Sequence, residues 1–197
     1  ATEESRLSLE PGPHCEEADG QVNVGAVAML ADIALASAIR ARLTPEQRLA
    51  TVSMHLQFTG IAMRGPLEAS GSCEGFLDQG SGRQGLSRVA VTCGGRKVLF
   101  GSGAFMALDP PPGVVLHPME RPVRHDVAPL ADEELHPRES AILQCAVSAL
   151  ADATRRHSFI RRFLGQDPRA TQAGASCTMV NRPFLANRVG HVQGGLL

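Results

Sequence analysis

The sequence predicts an α+β fold, one long apolar helix laid on an antiparallel sheet. Two observations carry that prediction. The first is the stretch 23–39, NVGAVAMLADIALASAI, which is small or apolar from Val24 onward except for Asp32 and Ser37. The second is a change of hydrophobic period just after it. In Thr51-Val52-Ser53-Met54-His55-Leu56-Gln57-Phe58, apolar Val52, Met54, Leu56 and Phe58 alternate with polar residues, the pattern of a half-buried strand.

The helix comes first because of what it contains. Asp32 is its only ionisable residue before Arg40. Its helical neighbours three and four positions away are Ala28, Met29, Leu35 and Ala36, all apolar, so no polar face is available to the carboxylate. A helix apolar all round is expected to be buried. Burying a carboxylate raises its pKa and costs several kcal/mol, roughly, unless the group is paired. Two readings follow: a functional carboxylate, or an Asp at a locally exposed spot. Asn23 is a suitable N-cap. The helix is expected to run to about Arg42 and to stop before Thr44-Pro45.

The strands follow in order. Residues 6–9 form a short strand candidate, ended by Pro11-Gly12-Pro13, and residues 14–22 an acidic loop. After the 51–58 strand, Gly65-Pro66 punctuates and residues 67–76 make a second strand. The Gly80 to Gly85 cluster reads as a turn. Residues 86–93 form a third strand with Val89, Val91 and Cys93 on one face. Gly94-Gly95 is a hairpin turn, and residues 97–108 form a fourth strand. The sheet is thus expected to occupy 48–108, antiparallel and wrapped around a helix at 24–41.

Composition narrows the function. A chain of 197 residues makes one or two domains, and 43% hydrophobic content is enough for a core. A net charge of −1 gives no electrostatic case for nucleic acid or an anionic membrane. Cys15, Cys73, Cys93, Cys145 and Cys177 are scattered without a C-x-x-C, as in reduced thiols of a cytoplasmic protein, and they argue against zinc. No signal peptide is read. The apolar helix is too short to span a bilayer and carries Asp32. Trp and Tyr are absent, so a ligand groove would be lined by aliphatics, Met and the seven Phe.

Beyond residue 108 the pattern changes. Residues 109–137 are proline-dense, opening on Pro110-Pro111-Pro112, and read as a linker or an extended wrapping segment. Residues 138–164 are expected to be helical, with Ile142, Leu143, Cys145, Ala146, Ala149 and Leu150 as an apolar stripe. Arg155, Arg156, Arg161 and Arg162 there fit either a solvated face or a phosphate contact. Residues 176–180 look like a strand. The chain then repeats its own opening: Gly20-Gln21-Val22-Asn23-Val24-Gly25-Ala26 aligns with Gly190-His191-Val192-Gln193-Gly194-Gly195-Leu196. Residues 138–197 are therefore expected to hold a helical segment and the start of a second, incomplete copy of the 1–108 domain.

These motifs resemble the hotdog-fold acyl-CoA thioesterases of the phenylacetate-pathway type. Their signature is His or Gln, Gly, Gly, four residues, then Leu-Ala-Asp. Leu30-Ala31-Asp32 fits its end and Gly25 its second glycine; Asn23 and Val24 replace the usual first two residues. Phe58-Thr59-Gly60, Gly65-Pro66-Leu67 and residues 87–106 resemble the family's following strands and turns. Asn187 and Gln193-Gly194-Gly195 fit the front of the motif, where the first copy has Glu17 and Asn23-Val24-Gly25. The resemblance implies a paired hotdog with a site between two copies, as a homo-oligomer or a pseudo-dimer of hotdog domains, that hydrolyses an acyl-CoA substrate. One copy supplies the helix carboxylate, as base or nucleophile; the other supplies backbone N–H groups at a helix start. Physically this is sound: such N–H groups are unpaired and partly positive, and they stabilise an oxyanion. The composite site it implies takes Asp32 and Thr51 from the first copy and Asn187, Gln193, Gly194 and Gly195 from the second. Asn23 and Gly25 are substrate-binding candidates.

Other candidates carry less. His55 lies on the polar side of its strand. No G-x-S-x-G elbow, P-loop or dinucleotide fingerprint is present, and no cofactor or metal is expected. Gly101-Ser102-Gly103 lies within a strand pattern and marks a bulge or close packing. Three readings stand: an acyl-CoA thioesterase, a hotdog dehydratase, which usually requires a His beside the carboxylate, and a non-catalytic hotdog module binding acyl-thioesters or pairing with a partner.

Overall fold

The computed structural model describes residues 4–79, 82–113, 128, 130–153, 158–186 and 192. Its first half contains β1 (Glu4–Leu9), α1 (Val24–Arg40), β2 (Arg48–Phe58), β3 (Leu67–Gln79), β4 (Gly82–Cys93) and β5 (Arg96–Leu108). The five strands form one sheet in the order β1-β3-β4-β5-β2, every neighbouring pair antiparallel. This sheet wraps α1. Residues 4–108 thus have the hotdog architecture, and the expected helix and strands are present within a few residues of their expected limits.

The core forms where the small and apolar face of α1 meets the inner face of the sheet. Val27, Ala31, Ala34, Leu35 and Ile39 of α1 pack with Leu67, Val89, Val91, Leu99 and Phe105, all buried. Each fully buried Val, Leu, Ile or Phe among them contributes about 1.5–3 kcal/mol, and each alanine less. The approach is close because α1 offers alanines and β3 a glycine. A Cβ on Gly71 would lie 2.5 Å from the carbonyl oxygen of Ala34. The hydroxyl of Ser5 on β1 donates to that same carbonyl at 2.7 Å. The Gly101-Ser102-Gly103 run lies in β5, and a Cβ on Gly101 would meet the His55 carbonyl oxygen at 2.4 Å. Close packing is therefore its reason.

Three expectations are corrected in this half. The helix is not buried all round: Val24 and Ile33 are exposed, because the sheet covers only one side of it. The turn expected over Gly80 to Gly85 does not extend to Gly85: β4 begins at Gly82 and Gly85 pairs with Phe76 and Phe105, while residues 80 and 81 lie outside the described residues. On β2 the expected alternation changes phase at a β-bulge, with consequences for Thr51 described below.

The second half holds α2 (Pro137–Ala151), α3 (Phe159–Leu164), β6 (Gln166–Thr171) and β7 (Gly174–Met179), with 3₁₀ turns at Asp132–Glu134 and Pro183–Leu185. The single helix expected over 138–164 is two helices. The first ends at its C-cap Asp152 and the second starts after Ser158. Arg155 and Arg156 lie outside the described residues. The strand expected near 176–180 is β7. Its partner β6 was not expected, because Pro168 within Gln166–Thr171 argues against a strand; in a two-stranded ribbon a proline on an edge is tolerated. A second, small core joins the halves: Cys15 from the loop before α1 is buried with Ile160, Leu164 and Leu185. No helix among the described residues is long and apolar enough to cross a membrane.

The repeat read from the sequence has a structural counterpart. An isolated antiparallel bridge joins Glu16 to Val22, and another joins Ala186 to Val192, at matching positions of the alignment. Extending the alignment upstream sets Glu4–Leu9 against Gly174–Met179, which are β1 and β7. The strand and bridge that open the hotdog thus have counterparts at matching positions near the end of the chain.

Candidate active site

Asp32 sits in the middle of α1 and is 1% exposed. A carboxylate so placed must be hydrogen-bonded. The hydroxyl of Thr51 donates to Asp32 Oδ1 at 3.1 Å. Strict alternation along β2 would place Thr51 opposite to Met54 and Leu56, facing out. The register prevents this. Thr51 pairs with Phe105 but Ser53 with Ala104, so Val52 is the extra residue of a bulge. The bulge shifts the side-chain phase by one. Thr51 consequently turns inward with Met54 and Leu56, while Val52, expected on the buried face, is 55% exposed.

At the start of α1 the bonds are committed within the chain. Asn23 is the N-cap as expected; its Oδ1 accepts from the Gly25 N–H at 2.8 Å. Its Nδ2 donates to Glu17 Oε1. Arg161 of α3 donates from Nε to the same oxygen at 3.0 Å. Burial pushes the Glu17 carboxyl up. Hydrogen bonds from Asn23 and Arg161, with the charge of Arg161, outweigh that and hold it below its ordinary value. The backbone before the helix is fixed by Asn23 N–H to the Cys15 carbonyl and Val22 N–H to the Met63 carbonyl, both 2.8 Å. A cavity of about 470 Å³ opens here, lined by Glu17, Gln21, Asn23, Val24, Met63 and Arg161.

The structure therefore brings Asp32 and Thr51 together, and separately Glu17, Asn23, Gly25 and Arg161. Asn187, Gln193, Gly194 and Gly195 lie outside the described residues. His55 is exposed on β2, with its Nε2 3.3 Å from Gln57 Nε2. All five cysteines are free thiols. Among the described residues no cluster of His, Cys, Asp or Glu is arranged to hold a metal ion. Sequence reasoning missed the bond of Glu17 to Arg161. The two residues are far apart in the chain, and no local pattern announces such a contact. It also missed the inward turn of Thr51 as a consequence of a bulge, which alternation alone does not reveal.

No protein-family model matches this chain, and no curated protein does. Among solved structures the chain is similar to a Bacillus halodurans protein crystallised with CoA, at 22% identity over 54% of this chain and 68% of that one, TM-score 0.46. It is also similar to a phenylacetic acid degradation-related protein of Ralstonia eutropha, at 18% identity over 52% and 75% of the two chains, TM-score 0.45. A thioesterase of Haemophilus influenzae has 8% identity over 54% and 72%, TM-score 0.47.

Proposed function

We propose that the protein hydrolyses acyl-CoA thioesters, with Asp32 as the base. The observation that carries this reading is the buried carboxylate of Asp32, 1% exposed and held by the Thr51 hydroxyl at 3.1 Å. Desolvation makes a carboxylate a stronger base than it is in water. Asp32 takes a proton from a water whose oxygen attacks the thioester carbon. The C=O becomes an oxyanion, collapse breaks the C–S bond, and the proton passes to the leaving thiolate sulfur. Thr51 holds Asp32 by donating to its Oδ1.

The oxyanion donors for this site come from the second copy, at Gly194 or Gly195, with Asn187 and Gln193 beside them. Support comes from the first copy's own turn. There the Gly25 N–H already donates to Asn23, and Val24 stands where the family has glycine. Under this reading residues 1–108 are one hotdog, 109–137 a linker and 138–197 the helical segment with the start of a second. The site is completed by pairing, within a longer chain or between chains. The open edge strand β2 supports pairing, since Val52 and Phe58 on it and Phe100 beside it are exposed. A strictly monomeric species in sedimentation at micromolar concentration, with hydrolysis intact, would refute it.

A second reading, a hotdog that binds acyl-thioesters without cleaving them, is favoured by the commitment of Asn23 and Gly25 to structural bonds. A panel of short to long acyl-CoAs, assayed for thiol release, separates the two. Asp32→Asn keeps the shape and removes the charge. It should lower turnover about a hundredfold or more, the scale of general acid–base catalysis. Unchanged turnover would move the chemistry elsewhere.

A further inference from the structure

We propose that the C-terminal segment carries a binding site for a phosphate-bearing ligand, distinct from the Asp32 site. A cavity of about 500 Å³ lies between α2, α3 and the chain flanking the β6–β7 ribbon. Its lining includes Arg161, Arg162 and Arg182, with Ser148 and Gln166 as neutral hydrogen-bonding groups and Asp152 as a carboxylate. The guanidiniums come from two separate stretches of chain, so the convergence is made by the fold and not by one basic run.

The arginines are only partly neutralised. Arg162 Nη1 stands 4.0 Å from Asp152 Oδ2, too far for a hydrogen bond. Arg182 Nη1 donates to the sulfur of Cys145 and not to a carboxylate. Arg161 spends its Nε on Glu17. Like charges gathered in one cavity repel, and an anion relieves that repulsion. Guanidinium forks match phosphate oxygens in pairs, and charge-assisted bonds of this kind are about twice as strong as neutral ones. The volume is within the range of small-molecule sites, roughly 300–1,000 Å³, and admits more than a bare ion. Ser148 and Gln166 suit the remaining oxygens. Phosphate is the shared chemistry; its source is either the nucleotide end of CoA or free phosphate.

Equilibrium binding to the full chain tests the site without reference to hydrolysis. The probes are CoA, adenosine 3′,5′-bisphosphate, pantetheine and inorganic phosphate. CoA and the bisphosphate are expected to bind. Arg162→Gln and Arg182→Gln should each weaken that binding about tenfold, the scale of one charged hydrogen bond, while exposed Arg96→Gln at the start of β5 changes it less than twofold. Pantetheine, which has no phosphate, should not compete. Competition by inorganic phosphate as strong as that of the bisphosphate identifies free phosphate as the source. Should Arg182→Gln fail to fold through loss of its Cys145 contact, Arg162→Gln decides alone. Absence of phosphate binding up to millimolar concentration, or variants that bind as the parent does, would overturn the site. Binding without any thiol release would sink the hydrolase reading and leave this one standing.

Discussion

β1 and β7 occupy matching positions of the repeat, yet their surroundings differ. In β1 every second residue is half-buried: Leu7 and Leu9 lie against the main core and Ser5 bonds the helix at Ala34. In β7 every residue but Met179 is exposed. Both are paired antiparallel strands, β1 with β3 and β7 with β6. Backbone pairing is therefore common to the two copies, and burial is not. β1 is buried because α1 lies across its sheet; among the described residues no helix covers β7 in that way. A strand needs only a partner edge to form, but it needs a second layer to contribute hydrophobic free energy.

The largest expected effect sharpens that contrast in stability. Leu35→Ala, at a fully buried position of α1, should cost about 2–5 kcal/mol, whereas Cys177→Ala on exposed β7 should stay within about 0.5 kcal/mol. Urea denaturation of both variants measures this. Equal costs would mean that β7 is covered in solution.

A second test compares the two turns in function. If the second copy supplies the oxyanion donors, Gly194→Val, whose added side chain keeps the thioester oxygen away from the N–H groups, should lower kcat by up to about a hundredfold, the scale of one donor put out of reach. Asn187→Ala should lower it in the same direction, and Glu17→Ala should leave it near the parent value. A loss confined to the Glu17 variant would reverse the assignment of the turns.

The smallest effect concerns the bond between the halves. Glu17 is held below its ordinary carboxylate value, so it binds protons less readily folded than unfolded. Its stabilisation is complete near neutrality and disappears as pH falls through and below the usual carboxylate range. Arg161 is partly exposed, so the contribution is under about 1 kcal/mol. Thermal melts of the parent and Glu17→Gln should differ slightly at neutral pH and converge in acid. A gap that widens in acid would contradict the assigned direction.

How much of this was legible beforehand depends on the range of the interaction. Period and punctuation are local, and they placed α1 and four strands of the sheet near their true limits. The apolar neighbours of Asp32 sufficed to single it out before any contact was known. The repeat, too, was visible in residue order alone, which set Val22 against Val192; the matching bridges there are the structure's addition. The tertiary structure decided what depends on a partner. Thr51 reached Asp32 because the pairing of β2 with β5 has a bulge at Val52, and a one-residue shift in register reverses every side chain beyond it. Glu17 became the anchor for α3 because folding brought a guanidinium from the far end of the chain to it. As sequence, the arginines of α3 fitted a solvated face before they fitted a phosphate contact. Only the fold set Arg182 in the same cavity, since convergence of charge is a property of space and not of order along the chain.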